Sequence, residues 1–203
     1  MMSSALLLTM MNPPAGGDDE FNDWADTEHI PERRAIPGIR LAQRFRNRTG
    51  SPRYMALYDL ASMGVLESAA YRAIAGPNLS PWSKRILAGA TDRWRFEGRL
   101  IHATPEPDEP LSMAGVQGVI LLAWHKLSAT ADHGDAITAA VGAAAARIES
   151  VQWLRVYAGE RGETQDFAAV LGLGIAGSAV HTDPHGYSAP GAPCGFAQGF
   201  ERL

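Results

Sequence analysis

The strongest constraint in this sequence is a pattern that occurs twice. Ile36-Pro-Gly-Ile-Arg-Leu-Ala-Gln-Arg-Phe45 and Ile148-Glu-Ser-Val-Gln-Trp-Leu-Arg-Val-Tyr157 place apolar and polar residues in largely the same order. Tyr54-Met-Ala-Leu-Tyr58 is matched in the same way by Phe167-Ala-Ala-Val-Leu171. Identity between the copies is slight, so the repeat is one of pattern. Ile39, Leu41, Gln43 and Phe45 share one parity and Arg40, Arg44 and Arg46 the other, as in a half-buried strand. A chain that repeats such a strand and its successor folds as two similar units, each with a sheet that needs cover on both faces.

The elements around the repeat fill in the plan. Ala5–Met11 reads as a buried strand. It lacks the basic flank of a secretion signal and runs straight into Asn12-Pro-Pro. Asp18-Asp19-Glu20 opens a helix, its carboxylates suited to the positive N-terminus. That helix reaches about His29 or Arg33, with Pro31 ending or kinking it and Pro37-Gly38 closing the segment. Strands follow at Ile39–Asn47 and Tyr54–Leu60, a helix at Met63–Ile74, a short helical piece around Trp82–Leu87 and a strand at Arg93–Ile101. The order is β-α-β-β-α-β, the ferredoxin-like arrangement. Thr104-Pro-Glu-Pro-Asp-Glu-Pro110 is rich in proline and acid, and residues 104–113 are read as a linker. Beyond it come a strand at Val116–Trp124, an alanine-rich helix at Ala131–Ile148, strands at Val151–Tyr157 and Phe167–Leu173, a Gly/Pro-rich tail from Ala176 and a last strand at Gly195–Phe200. The expected fold class is α+β: two tandem ferredoxin-like repeats, residues 1–103 and 114–203, whose antiparallel sheets pack as a pseudo-dimeric α+β barrel.

The net charge of −4 over 203 residues gives no electrostatic case for nucleic acid or an anionic membrane. No apolar run approaches the roughly 20 residues of a membrane helix. The single cysteine, Cys194, can form no internal disulfide, which fits a reducing, cytoplasmic compartment. Arg33, Arg34, Arg40, Arg44, Arg46, Arg48 and Arg53 cluster, and read as a polar sheet face ahead of a phosphate-binding patch.

One segment carries chemistry. On a regular helix Phe21, Trp24, Ala25, Glu28 and His29 share a face. The two aromatics bury that face and bring a carboxylate and an imidazole to the rim of an apolar pocket, an arrangement suited to proton transfer. The plainer reading is a helix-capping His29 and a Glu28 paired with Arg33 or Arg44. The Phe-x-x-Trp…His-x-Pro helix, the Pro-Gly that follows it and Tyr54-x-Ala-Leu-Tyr58 resemble the EthD-like branch of the dimeric α+β-barrel superfamily, over roughly Ala5 to Ile101. Ala25-Asp26 departs from it, where similar sequences often have an aromatic before the acid. The resemblance implies a pocket between sheet and helices with His29 reaching into it. The second repeat, with Ala140, Val141 and Ala143–Ala146 in its helix, is expected to be structural.

The remaining motifs are weaker. His181-x-Asp183-x-His185 has ligand-type residues but lies in a loop, and is read as a lid rather than a metal site. His125 reads as a strand-end residue and His133 as a helix N-terminal one. Gly172-x-Gly174-x-x-Gly177 lacks the helix and acid of a dinucleotide fingerprint. The expected function is therefore a cofactor-independent lyase, isomerase or cyclase on a small hydrophobic, aromatic or polyketide-like substrate. His29 would be general acid/base, with Glu28 or Asp26 orienting it. Phe21, Trp24, Tyr54, Tyr58 and Trp82 would line the pocket, and Arg44 or Asn22 would fix a carbonyl or carboxylate. No cofactor or metal is expected, and a homodimer is left open. The alternatives are a non-catalytic binding or assembly protein with the same pocket, and a haem- or oxygen-using enzyme.

Overall fold

The computed structural model describes residues 4–106, 111–177 and 182–203. Eight antiparallel strands close into one barrel: β1 (Ala5–Asn12), β2 (Ile39–Arg46), β3 (Tyr54–Leu60), β4 (Thr91–Thr104), β5 (Gly118–Ser128), β6 (Val151–Arg161), β7 (Thr164–Leu173) and β8 (Phe196–Arg202). Around the barrel they run β1-β3-β2-β8-β5-β7-β6-β4. Each half therefore has the same internal order, with its first and third strands central. The halves meet at β2 with β8 and at β4 with β6. Closure within one chain leaves no sheet edge for another copy to complete.

The repeat survives to the level of single residues. Gly38 and Ser150 both have positive φ, at +93° and +70°, just before β2 and β6. Each carbonyl accepts a backbone bond from the end of the neighbouring third strand, from Ala61 and Gly174. A register shift follows at once in both copies, between Ile39 and Leu41 and between Val151 and Trp153. A Cβ on Gly38 would lie 2.6 Å from Val65 Cγ2, so glycine is required there for space as well as for φ.

The continuous apolar run of β1 is explained by burial on both faces. Leu6, Leu8 and Met10 join Phe45, Met55, Leu57, Phe96, Val119, Leu121, Tyr157, Val170 and Phe200 inside the barrel. Ala5 and Leu7 face the helical layer outside. The barrel interior also receives Leu111, Met113 and Val116. The Leu111 N–H donates to buried Asp59, which pairs with Arg40 at 2.9 Å. The end of the expected linker is thus core, because its apolar residues plug the barrel; residues 107–110 lie outside the described set.

The helical layer departs from expectation in two places. Helix α1 (Asp18–Trp24) passes through a π turn (Ala25–His29) into α2 (Ile30–Arg34), so Pro31 does not end it. The Ile30 N–H bonds to Ala25 five residues back. Pro31 then falls in the first turn of α2, where a missing N–H breaks no helical bond. The expected helix over Met63–Ile74 is instead a 3₁₀ turn (Met63–Glu67) and one turn of helix α3 (Ala69–Arg72). Ser68 divides them, its side chain accepting from the Tyr71 N–H, a local bond that competes with helix. Helix α4 (Pro81–Gly89) is capped by Ser80, and α5 (Gly134–Ala145) covers the second half. No helix among the described residues is long and apolar enough to cross a membrane.

Candidate functional site

Helices α1 and α2 lie across the outer face of β1–β3, and the π turn decides where their side chains go. The Trp24 and His29 ring centroids are 4.5 Å apart, five residues along the chain. His29 Nε2 is 3.1 Å from the Tyr58 hydroxyl on β3. His29 Nδ1 is sealed from solvent and has no hydrogen-bond partner. Burial, reinforced by the guanidinium charges of Arg33 and Arg44, pushes the imidazole down to about 3. Burial pushes the Tyr58 phenol up to about 12. At neutral pH the pair is an uncharged imidazole hydrogen-bonded to an uncharged phenol.

Glu28 lies elsewhere. Its Oε1 accepts from Ser80 Oγ at 2.5 Å and from Ser83 Oγ at 3.1 Å. The indole N–H of Trp24 donates to Ser83 Oγ at 3.0 Å. Glu28 therefore ties the first helix to the start of α4. Asp26, with most of its side chain exposed, pairs with Arg44 at 2.6 Å. The other arm of Arg44 donates to Asn22, which reaches the Tyr54 hydroxyl at 3.2 Å. Arg44 also lies over the rings of Phe21 and Tyr54. These residues pin helix to sheet, around a small void of about 30 Å³ bounded by Phe21, Trp24, Ala25, His29, Arg44, Tyr54 and Tyr58. Trp82 is half-buried and donates to Glu20 at 3.1 Å.

The larger opening is a cleft of about 530 Å³ on the β1–β4 side, within the roughly 300–1,000 Å³ of small-molecule sites. Trp24, His29 and Tyr58 reach it from the expected set. Its other walls include Leu7, Thr9, Arg33, Tyr71, Leu87, Arg93, Trp94 and Arg95, and no carboxylate side chain. Sequence reading missed Arg33, Tyr71 and Arg95 as a group. The signal available was parity: Arg95 pairs with Thr9 in register, on the outer face of β4 beneath the helical layer. The clustered arginines are not one polar sheet face, since Arg33 and Arg34 lie on α2 and Arg33 and Arg44 are buried, each with its own partners.

The second half has no matching cleft among the described residues. Phe167, Ala169 and Leu171 of β7 stand where β3 has Tyr54, Ala56 and Tyr58. With Ile137, Val141, Tyr187 and Cys194 they make a closed apolar cluster. Cys194 is free and buried, its thiol donating to the Phe196 carbonyl, and burial pushes it up. His133 is the N-cap residue of α5. His125 lies within β5, edge-on to Trp94 and 4.0 Å from Asp166. Of the His181-Asp183-His185 motif, His181 lies outside the described residues, and Asp183 caps the 3₁₀ turn Pro184–Tyr187 by accepting from the His185 N–H. A Cβ on Gly172 would lie 2.2 Å from the Trp153 ring, which accounts for one glycine of the mock fingerprint by packing.

No protein-family model and no curated protein matches the sequence. Solved structures match the fold. An anthrone oxidase-like protein aligns over 100% of this chain and 92% of its own, with TM-score 0.67 and 8% identity. A monooxygenase-like protein from Lactobacillus acidophilus aligns over 99% and 93%, with TM-score 0.52 and 8% identity. A haem-binding protein from Thermus thermophilus aligns over 100% and 92%, with TM-score 0.54 and 9% identity. These names correct the expectation of a cofactor-independent lyase, isomerase or cyclase: they describe oxygen and haem chemistry, the alternative held beside it. What the likeness establishes is architecture, and the chain has the dimeric α+β-barrel fold, closed here within one polypeptide.

Proposed function

We propose that this protein is an oxygen-using enzyme of the oxidase or monooxygenase kind, acting on a small aromatic compound in the cleft beside His29. The observation that carries the reading is the cleft itself: Trp24, Tyr58, Tyr71 and Trp94 for an aromatic body, with uncharged His29 and cationic Arg33 and Arg95 at its walls. In this reading the first half holds the site and the second completes the barrel, so a homodimer is not needed to close the sheet. The single cysteine fits a cytoplasmic setting.

The reaction that asks least of the chain is oxidation of an activated ring CH₂ by dioxygen: R₂CH₂ + O₂ → R₂C=O + H₂O. It balances without an outside reductant. The acidic ring CH₂ gives up its proton to water, which leaves the substrate electron-rich and anionic, a form the arginines favour, and the proton is taken up again in the H₂O that is formed. With His29 Nε2–H donating to its oxygen, the Tyr58 hydroxyl turns its own hydrogen to the substrate oxygen on which charge collects. Trp24 fixes the imidazole from its other side.

Haem fits this cleft poorly. Nε2 of His29 is engaged by Tyr58, and Nδ1 is sealed. The Tyr58 phenol is pushed away from the phenolate a metal would take. The cleft walls offer no second imidazole and no thiol among the described residues.

The test is oxygen consumption with hydroxylated aromatic ketones of the anthrone type. Uptake above the uncatalysed rate is expected, falling roughly 10²–10³-fold in His29→Ala, as for loss of a transition-state hydrogen bond. Uptake no faster than without protein, across such substrates, sinks the reading.

A further inference from the structure

The most unusual group in the cleft is Arg33. It is 5% exposed, yet its charge meets no carboxylate within ion-pair distance among the described residues. Nη2 donates to the Ile74 carbonyl at 2.9 Å, and the guanidinium carbon lies 5.2 Å from the centre of the Tyr71 ring. Nη1 is buried without any hydrogen-bond partner. A buried donor left unpaired costs roughly 1–3 kcal/mol, and more when charged. Chains do not ordinarily keep such a group unless something is there to meet it.

The neighbours indicate what that is. Tyr71 is held from both sides, with Arg33 over its face and Arg95 donating to its hydroxyl at 3.0 Å. Arg95 is balanced by Glu97 at 2.5 Å, so its charge is already answered. Among the described residues Arg33 makes one hydrogen bond to a carbonyl and lies over an aromatic face, and the neighbouring Glu32 acts on it through space without an ion pair. His29, on the same wall, has its own sealed and unpaired nitrogen. The unmet capacity at this end of the cleft is that of a hydrogen-bond-donating cation.

We propose that Arg33 is the anchor for an anionic oxygen of the substrate, so that the cleft selects aromatic acids or phenolates over their neutral analogues. This rests on the reading of the cleft as a substrate site. The guanidinium turns about its bond to Ile74 and presents Nη1 to the ligand oxygen. The ring system then lies against the aromatic walls of the cleft, Trp24 and Trp94 among them. The anion-binding function belongs to this helix arginine and not to the arginine-rich strand β2, where Arg40 and Arg44 are paired with Asp59 and Asp26.

The probes are 2-naphthoate, its neutral analogue 2-naphthamide, and 2-naphthol, titrated against tryptophan fluorescence at pH 7.5. Wild type should bind naphthoate roughly ten- to a hundredfold more tightly than naphthamide, as expected for a charged hydrogen bond. Arg33→Met should bring the two within about twofold of each other. If Arg33→Met does not fold, Arg33→Lys serves: it keeps the charge but loses the planar fork, and should cut the preference severalfold. Naphthol absorbing as naphtholate when bound would identify the phenolate as the preferred anion; its binding only as the neutral phenol, with naphthoate still preferred, would identify the carboxylate. Equal affinity for naphthoate and naphthamide in wild type, or no binding of either, overturns the anchor. So does a preference that persists unchanged in the Arg33 variants. Oxygen uptake is read separately: an Arg33-dependent preference in a protein that consumes no oxygen supports the anchor and removes the oxidase reading alone.

Discussion

The two halves of the barrel share a backbone plan and differ in what they do with the space under their helices. In the first, β3 offers Tyr54 and Tyr58, and the helix above sets His29, Arg33 and Trp24 around an opening. In the second, β7 offers Phe167 and Leu171 at the same positions, and α5 closes over them with Ile137 and Val141. Polar groups under a helix need partners, and a full set of partners is hard to assemble. Sealed polar atoms without a hydrogen-bond partner occur in both halves, but those of His29 and Arg33 belong to residues that line the cleft, whereas Trp124 sits in the apolar cluster of the second half. If the cleft is the site, as proposed, the second half serves as an internal control: the same scaffold with its helix closed over an apolar strand face.

The comparison can be broken most directly through stability. Leu171 is completely buried, and Leu171→Ala should cost about 2–5 kcal/mol in denaturant unfolding. Ligand affinity of the folded protein should not change; a variant that binds aromatic ligands differently would show that the second half is part of the site. The reciprocal change, Tyr58→Phe, should cost only about 1 kcal/mol of stability while removing most of the oxygen-consuming activity.

Titration sharpens the contrast. His29 is held uncharged in the fold, with its folded value about 3 and its unfolded value near 6.5. Below pH 6.5 the unfolded chain takes up a proton that the native one refuses, so stability falls with decreasing pH down to about 3 and is unaffected above 6.5. The contribution is about 1.4 kcal/mol per pH unit once the unfolded imidazole is protonated. Unfolding free energies at pH 7 and 5 should differ more in wild type than in His29→Ala. Equal pH dependence would mean that His29 is not sealed as described. The smallest effect is expected at Asp26→Asn, which breaks a pair whose carboxylate is largely exposed. It should change stability by less than about 1 kcal/mol and only at low salt.

Much of the fold was legible because strands advertise themselves by parity. Ile39–Phe45 against Val151–Tyr157 located the equivalent strands in both halves, and the structure adds a shared positive-φ residue ahead of each. What failed was local competition. Ser68 turned an apparent helix into two short turns, and Ala25–His29 took a π turn that no periodicity of 3.6 residues foresees. Glu28 and His29, read as a pair at one pocket rim, have different partners across that turn, Ser80 and Ser83 for the one and Tyr58 for the other. At the site, Trp24, His29 and Tyr58 were readable from a motif. Arg33, Tyr71 and Arg95 were not, since three different elements bring them together and strand parity, the signal available, reaches Arg95 alone.

Closure of the barrel within one polypeptide has a consequence for how binding is counted. A barrel assembled from two identical chains carries every site twice, and every substitution is felt at both. Here the twin position is filled with Phe167, Leu171 and Tyr187. One chain should therefore take up one ligand at this cleft, along a simple hyperbolic isotherm. The half without a cleft is free to accumulate stabilising changes that the half with one could not tolerate.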